Sequence, residues 1–226
     1  VRDMPKKLLQ NKDRRRLRAQ LLDWFGRYQR NYPWRQTDNW FHLLIAEMML
    51  RRTRADQVAP VYAEFCNRYA SPEDACRATA KSFQRVLAPL GLEWRARQLR
   101  DTVHYLRDHY ALRAPEPADD LEALPGVGPY SNALLRNRLF GERVAAIDSN
   151  VARFICRLTE REYHAESRRN REVIALANDF VNSPRAADLN LAILDLSALV
   201  CKPRRPDCPA CPLNATCRTG QQARPE

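Results

Sequence analysis

The sequence predicts an all-α protein, and three observations predict it. Apolar residues recur at three- and four-residue spacing over most of the chain. Alternating strand patterns are almost absent. Only 6 glycines in 226 residues leave few turns and long elements. Apolar residues make up 45% of the chain, enough for a packed core, and the length allows one large or two small domains. No internal repeat is present.

Residues 1–30 read as a basic helix, with Leu17, Leu21, Leu22, Trp24, Phe25 and Tyr28 at helical spacing. Arg14, Arg15 and Arg16 form a solvated face, with phosphate contact as the alternative. Asn31-Tyr-Pro-Trp-Arg35 breaks the helix at Pro33. From Phe41 to Tyr69 the pattern is strongly helical. Phe41, Leu44, Ile45, Met48 and Met49 form one apolar face, and Val58, Val61, Tyr62 and Phe65 a second. Leu50-Arg51-Arg52-Thr53 lies between them. Glu47 sits within the first face. It is either an ordinary helix-surface residue or a partly buried acid with a raised pKa. Ser71-Pro72 followed by Glu73 and Asp74 marks a helix start. Ala80–Leu90 and Arg95–Tyr110 are further helices. They flank a tight turn, Pro89 to Trp94, that exposes Trp94. Ala114-Pro-Glu-Pro-Ala118 is a connector.

At Leu121-Glu-Ala-Leu-Pro125-Gly126-Val127-Gly128-Pro129-Tyr130 one helix ends and another starts at Pro129 or Tyr130. The two glycines let backbone amides approach a ligand, and the helix N-terminus behind them favours an anion. This pattern is a helix–hairpin–helix, which grips a phosphate without reading base sequence. A plain connecting turn is the alternative. Asp148 follows 18 positions after Tyr130, just before a helix Val151–Leu158, where an isolated Asp is ordinarily an N-cap. Asn170–Phe180 and Leu189–Val200 are two more helices, and Thr219–Glu226 is a frayed tail.

The net charge of +11 and a pI near 9.7 call for a polyanionic partner, nucleic acid before a membrane surface. No run of 18 apolar residues and no lipidation motif occurs. No signal peptide precedes the chain, so an intracellular protein is expected. Cys201, Cys208, Cys211 and Cys217 form a C-x6-C-x2-C-x5-C loop too short and polar to fold on its own core. An intracellular setting disfavours disulfides. Zinc usually takes two short knuckles separated by a longer insert. One close pair flanked by wider gaps suits the four corners of a cubane, with zinc as the alternative. Cys66, Cys76 and Cys156 read as buried free thiols.

Leu124-Pro-Gly-Val-Gly128, Asp148 at a helix start and the four-cysteine loop together resemble the helix–hairpin–helix DNA glycosylases with an iron–sulfur cluster, the superfamily of endonuclease III and MutY. The likeness runs from Trp24 to Cys217. Tyr32-Pro-Trp-Arg35, Ala46-Glu-Met-Met-Leu-Arg-Arg-Thr53 and Leu194-Asp-Leu-Ser-Ala-Leu-Val-Cys201 resemble the MutY branch. MutY usually has Leu-Gln-Gln-Thr where this chain has Leu-Arg-Arg-Thr. At Tyr130 endonuclease III has Lys and MutY typically Ser. Both positions are most similar to the short Mig-type glycosylases, which remove thymine or uracil opposite guanine. MutY usually adds a C-terminal domain, whereas this sequence stops just after the cysteines. The turn Leu92-Glu-Trp-Arg95 is a residue shorter than in those relatives, which leaves open which residue there enters the DNA.

The resemblance implies two helical domains with a cleft between them. Residues 38–148 would carry the hairpin, and residues 1–37 with 149–226 a [4Fe–4S] cluster on the four cysteines. It implies a monomeric, monofunctional DNA glycosylase of base-excision repair, acting on double-stranded DNA with a mismatched or damaged base. The base must leave the stack, and Arg51, Arg52 and the Leu92–Trp94 turn are candidates to fill the gap. Gly126, Val127 and Gly128 would hold a phosphate, and the cluster would set Lys202, Arg204 and Arg205 against others. Asp148 would stabilise the positively charged sugar and activate water. Glu47 would line the base pocket, protonating a purine or hydrogen-bonding a pyrimidine. Tyr130 would wall that pocket, since a phenol cannot form a Schiff base. The rival activity is adenine excision opposite guanine or 8-oxoguanine. The rival class is a non-catalytic DNA-binding module, against which Asp148 argues.

Overall fold

A computed structural model describes residues 11–91, 93–117 and 119–222. Among the described residues the chain is helical without a strand, so the all-α class holds. The helices are α1 (Asn11–Tyr28), α2 (Trp40–Leu50), α3 (Ala55–Arg68), α4 (Pro72–Arg77), α5 (Ala80–Leu87) and α6 (Glu93–Tyr110). They continue with α7 (Pro129–Phe140), α8 (Ser149–Leu158), α9 (Arg171–Val181), α10 (Ala186–Leu199) and α11 (Arg218–Gln222). Short polar side chains start many of them by accepting otherwise unpaired amides. Asn39 accepts from Phe41 and His42, Ser71 from Asp74, Thr79 from Ser82, and Asn170 from Glu172 and Val173.

One compact unit spans Asn31–Phe140 and holds α2 to α7. Its core is built on Phe41, Ile45, Met49, Val58, Phe65, Phe83, Leu99, Val103 and Leu106, all essentially closed to solvent. Phe65 meets Phe83 edge-on at 5.6 Å and Tyr69 stacks on Phe83 at 5.2 Å. Each such ring stabilises the unit by roughly 1.5–3 kcal/mol on burial. The other unit joins the chain through Arg30 to the chain from Gly141 onward. Its core unites Leu17 and Leu21 of α1 with Val151 and Ile155 of α8, Ala177 and Val181 of α9, and Leu189, Ile193 and Leu196 of α10. Arg30 donates through its amide and Nε to the buried Asp195 carboxylate, at 2.9 and 2.6 Å. Arg18 binds the carbonyls of Asp179 and Phe180 at the end of α9.

These units divide the chain at 31 and 141 rather than at the expected 38 and 149. Trp34 is buried and meets Tyr62 of α3 at 5.5 Å, which keeps residues 31–37 with α2 and α3. The extended segment 141–148 is instead stitched to α9 and α10. Asn178 accepts from the Ala145 amide at 2.8 Å. The fully buried Asn190 accepts from Ala146 at 2.9 Å and donates to Val144 at 3.0 Å. Asn190 therefore fixes the strand of chain that delivers Asp148.

The two apolar faces within 41–69 lie on separate helices: α2 ends at Leu50, Arg52 adopts a left-handed φ of 57°, and α3 starts at Ala55. Three local expectations need correcting. The hairpin is preceded by a single 3-10 turn, Leu121–Ala123, not by an α-helix. Ala80–Leu90 closes as a 3-10 turn from Ala88. Residues Thr219–Gln222, expected as tail, belong to α11. The expectations on residues 1–10, on Leu92, on Ala118 and on 223–226 lie outside the described residues. Cys156 is buried, whereas Cys66 and Cys76 are half-buried.

Candidate active site and cysteine loop

In the Asn31–Phe140 unit the hairpin is held from inside. Gly126 has φ 89°, which only glycine adopts without strain, and a Cβ there would come 2.7 Å from Gln98 Cδ. Gly128 meets nothing within 4 Å and has no such φ, so the two glycines serve different needs. The Val127 amide donates to Leu124, and the buried Thr102 hydroxyl lies 2.5 Å from the Pro125 carbonyl. No hydrogen bond from the amides of Gly126 or Gly128 is found among the described residues. Those amides precede α7, the arrangement that receives an anion. Tyr130 is half-buried in the first turn of α7.

The turn after α2 lies against the hairpin. Arg51 Nη1 donates to Gln98 Oε1 at 2.7 Å and to the Gly126 carbonyl at 3.1 Å. The guanidinium also sits 5.7 Å from the centre of the Trp94 ring, which is 38% exposed. Arg52 is exposed beside it. The same unit holds Glu47, half-buried on α2. Burial pushes its carboxyl up to about 7, and the Arg138 guanidinium of α7 pulls in the opposite direction. The structure thus brings Arg51, Trp94 and Gly126 into one cluster.

In the second unit Asp148 is the N-cap of α8. Its Oδ1 accepts the amides of Asn150 and Val151, both at 2.8 Å, and Oδ2 accepts Asn150 Nδ2 at 2.7 Å. The cap and the candidate catalytic carboxylate are therefore one group. Asn150 is in turn held by Arg153, whose buried guanidinium donates through Nη1 to Asn150 Oδ1 at 3.1 Å. Arg153 also donates to the Ser197 carbonyl at 3.2 Å and, through Nε and Nη2, to the Cys201 carbonyl. One turn further on, Arg157 binds the carbonyls of Lys202 and Pro203, each at 2.7 Å, and Cys201 Sγ at 3.3 Å.

Cys201, Cys208, Cys211 and Cys217 line one pocket with Arg157, Val200, Pro206, Asn214 and Gly220. Burial pushes the thiol of Cys208 up, that of Cys217 up and that of Cys211 up to about 12. Neighbouring thiols of the set push each of the three further. Donors are nonetheless aimed at the sulfurs: the Leu213 amide at Cys211, the Thr219 and Gly220 amides at Cys217, and Arg157 at Cys201. Four adjoining thiols cannot shed their protons together without a bound cation, and these N–H groups suit thiolates. The donor set therefore suits a group that takes four thiolates. Among the described residues no three His, Cys, Asp or Glu side chains converge as on a single ion. Lys202, Arg204 and Arg205 are exposed on the same loop.

Residues 45–194 match the HhH-GPD superfamily of base excision DNA repair proteins, and the chain belongs to that family. Within it the chain is a DNA glycosylase. It is 31% identical to a thymine/uracil-DNA glycosylase of Methanothermobacter thermautotrophicus, over 92% of this chain and 94% of that protein. It is 28% identical to the human adenine DNA glycosylase over 92% of this chain but 40% of that protein. The solved structure of a thermostable thymine-DNA glycosylase superposes with a TM-score of 0.84 at 30% identity, covering 94% of this chain and 99% of that one. Among the described residues no helix is long and apolar enough to cross a membrane.

Sequence reasoning missed Asn150, Arg153, Arg157 and Gln98. One signal was available: Arg153 interrupts the otherwise apolar run Val151-Ala152-Arg153-Phe154-Ile155-Cys156, and it lies one turn from Asn150.

The raised Glu47 pKa has a stability consequence. Its extra proton affinity in the fold stabilises fully below the usual carboxylate value of 4.5 and is lost as pH rises through about 7. Glu47→Gln, which cannot ionise, should therefore be more stable than the parent at pH 8 by roughly 1–3 kcal/mol and equal to it at pH 4. Denaturant unfolding at the two pH values checks this; an identical difference at both would contradict it.

Proposed function

We propose that this DNA glycosylase excises thymine or uracil mispaired with guanine in double-stranded DNA, acting as a monomer and leaving the strand intact. The observation that carries the reading is the Asp148 carboxylate, fixed by two backbone amides and Asn150 at the N-terminus of α8. Breaking the bond to the base leaves positive charge on the sugar, which a fixed carboxylate stabilises. Water then attacks the sugar, passing a proton to the same carboxylate. Tyr130 supports the monofunctional part of the reading, because a phenol forms no Schiff base and no elimination follows. Its ring would wall the extruded base. Gly126, Val127 and Gly128 would hold a phosphate, Arg51, Arg52 and Trp94 would occupy the gap, and Arg204 and Arg205 would meet further phosphates. The thymine and uracil activities named for relatives 30–31% identical support the pyrimidine choice.

Glu47 favours a second reading. A carboxyl with a pKa of about 7 is half-protonated at neutral pH and would donate to a purine ring nitrogen, making adenine a better leaving group. Under the first reading its ionised form accepts a hydrogen bond from the pyrimidine edge. A panel of T:G, U:G, A:G and A:8-oxoguanine duplexes, treated with protein and then alkali, separates the two. The expected result is cleavage at T and U only after alkali, with no adduct trapped by borohydride. Cleavage confined to the A duplexes would establish the adenine reading, and a trapped adduct would overturn the monofunctional assignment.

Cys201, Cys208, Cys211 and Cys217 are proposed to hold a [4Fe–4S] cluster. When bound, it cross-links the loop through four iron–sulfur bonds. Purified protein should be yellow-brown, absorbing broadly at about 400 nm, with about four irons per chain. A colourless protein with one zinc per chain would overturn this assignment.

A further inference from the structure

The Arg51 turn and the hairpin share one residue that the proposed roles leave unused. Gln98 lies on α6, half-buried, between them. Its Oε1 accepts from Arg51 Nη1 at 2.7 Å, and the same nitrogen donates to the Gly126 carbonyl at 3.1 Å. Its Cδ lies 2.7 Å from where a Gly126 Cβ would be, so the amide packs directly on the hairpin backbone. Its own carbonyl lies 2.9 Å from the Thr102 hydroxyl that also reaches Pro125.

The turn it touches is held from the other side by Arg95. Arg95 is 1% exposed, and its guanidinium lies 5.7 Å from the Trp94 ring centre and donates Nη2 to the Arg51 carbonyl at 2.5 Å. Its Nε and Nη1 have no partner among the described residues. Trp94 is thus in contact with two guanidiniums, each 5.7 Å from its ring centre. Arg52 keeps a left-handed φ of 57° beside them.

A long exposed arginine loses considerable rotamer entropy when it is ordered. Here that ordering is done by two acceptors, the Gln98 side chain and the Gly126 carbonyl. The Gly126 carbonyl belongs to the peptide group that runs through the phosphate-gripping turn. Arg51 is thereby tied to that turn twice, directly through the Gly126 carbonyl and through Gln98, which packs on Gly126.

We propose that Gln98 is a positioning residue that locks the Arg51–Trp94 turn to the hairpin, so that recognition of a mispaired base depends on Gln98 while the grip on phosphate does not. The hairpin keeps its own supports, Val127 to Leu124 and Thr102 to Pro125, when Gln98 is changed. The proposal rests on the reading that the chain extrudes a mispaired base.

The test uses the full chain carrying Asp148→Asn, so that substrate is not consumed, and labelled T:G and matched duplexes. Gln98→Met keeps the length of the side chain and removes the acceptor. It should lower the preference for T:G over matched DNA about tenfold, the loss of one charge-assisted hydrogen bond. Affinity for matched DNA should stay within about twofold. The unstacking signal of 2-aminopurine beside the mismatch should fall in parallel. Gln98→Glu restores an acceptor for Arg51 and should restore both readouts. A T:G preference that survives Gln98→Met overturns this inference alone, as does an equal loss on both duplexes or a failure of Gln98→Glu to rescue. A parent without preference for any mismatch overturns the extrusion reading and this inference together.

Discussion

The buried guanidinium of Arg153 is the contact on which the Asp148 unit depends. It donates to the carbonyls of Ser197 and Cys201 and to the side chain of Asn150. A buried cation is costly unless its donors are met, and hydrogen bonds to a charged group are each worth about 1.5–3 kcal/mol. Arg153 meets that requirement with acceptors from three places: the end of α10, the first cysteine of the loop, and the residue that orients Asp148. The carboxylate and the first cysteine therefore owe their positions to the same cation. Arg157, one turn along α8, extends the clamp to Lys202 and Pro203.

The hairpin unit solves its problem with backbone geometry instead. Gly126 turns left-handed where a side chain would strike Gln98, and Thr102 and Arg51 engage the carbonyls of Pro125 and Gly126. With these carbonyls engaged by side chains, the amides before α7 are the groups suited to a phosphate. Such a grip is indifferent to sequence. The two units thus contribute different things to the proposed reaction: a grip and a base-handling turn from one, a fixed carboxylate and a basic loop from the other.

Much of this was legible in the sequence, because it is local. Helix starts at Ser71 and Asn170, the glycine turn, the cap at Asp148 and the cysteine spacing each need only a few neighbouring residues. What was misread depends on distant partners. The break between α2 and α3 shows in the sequence only as the polar run Arg51–Arg54 between two apolar faces. The Arg51 carbonyl there is held by Arg95, 44 residues away. The second boundary falls at 141 rather than 149 because Asn178 and Asn190, not the composition of 141–148, fix that segment. Arg153 was visible as a charge in an apolar helix, but its acceptors Ser197 and Cys201 lie 44 and 48 residues on.

The central claim is that the helix-capping carboxylate of Asp148 is also the group that stabilises the charged sugar. Asparagine at this position keeps a side-chain oxygen for the amides of Asn150 and Val151 and removes the charge, together with the oxygen that accepts from Asn150 Nδ2. The most direct measurement is single-turnover excision by Asp148→Asn on a T:G duplex, with thermal unfolding and mismatch affinity measured alongside. The account predicts a retained fold, with stability lowered by no more than about 1 kcal/mol for the lost Asn150 hydrogen bond, and unchanged mismatch binding, with excision slowed at least about a hundredfold, the scale of a lost electrostatic stabiliser. Excision at near the parental rate would contradict it.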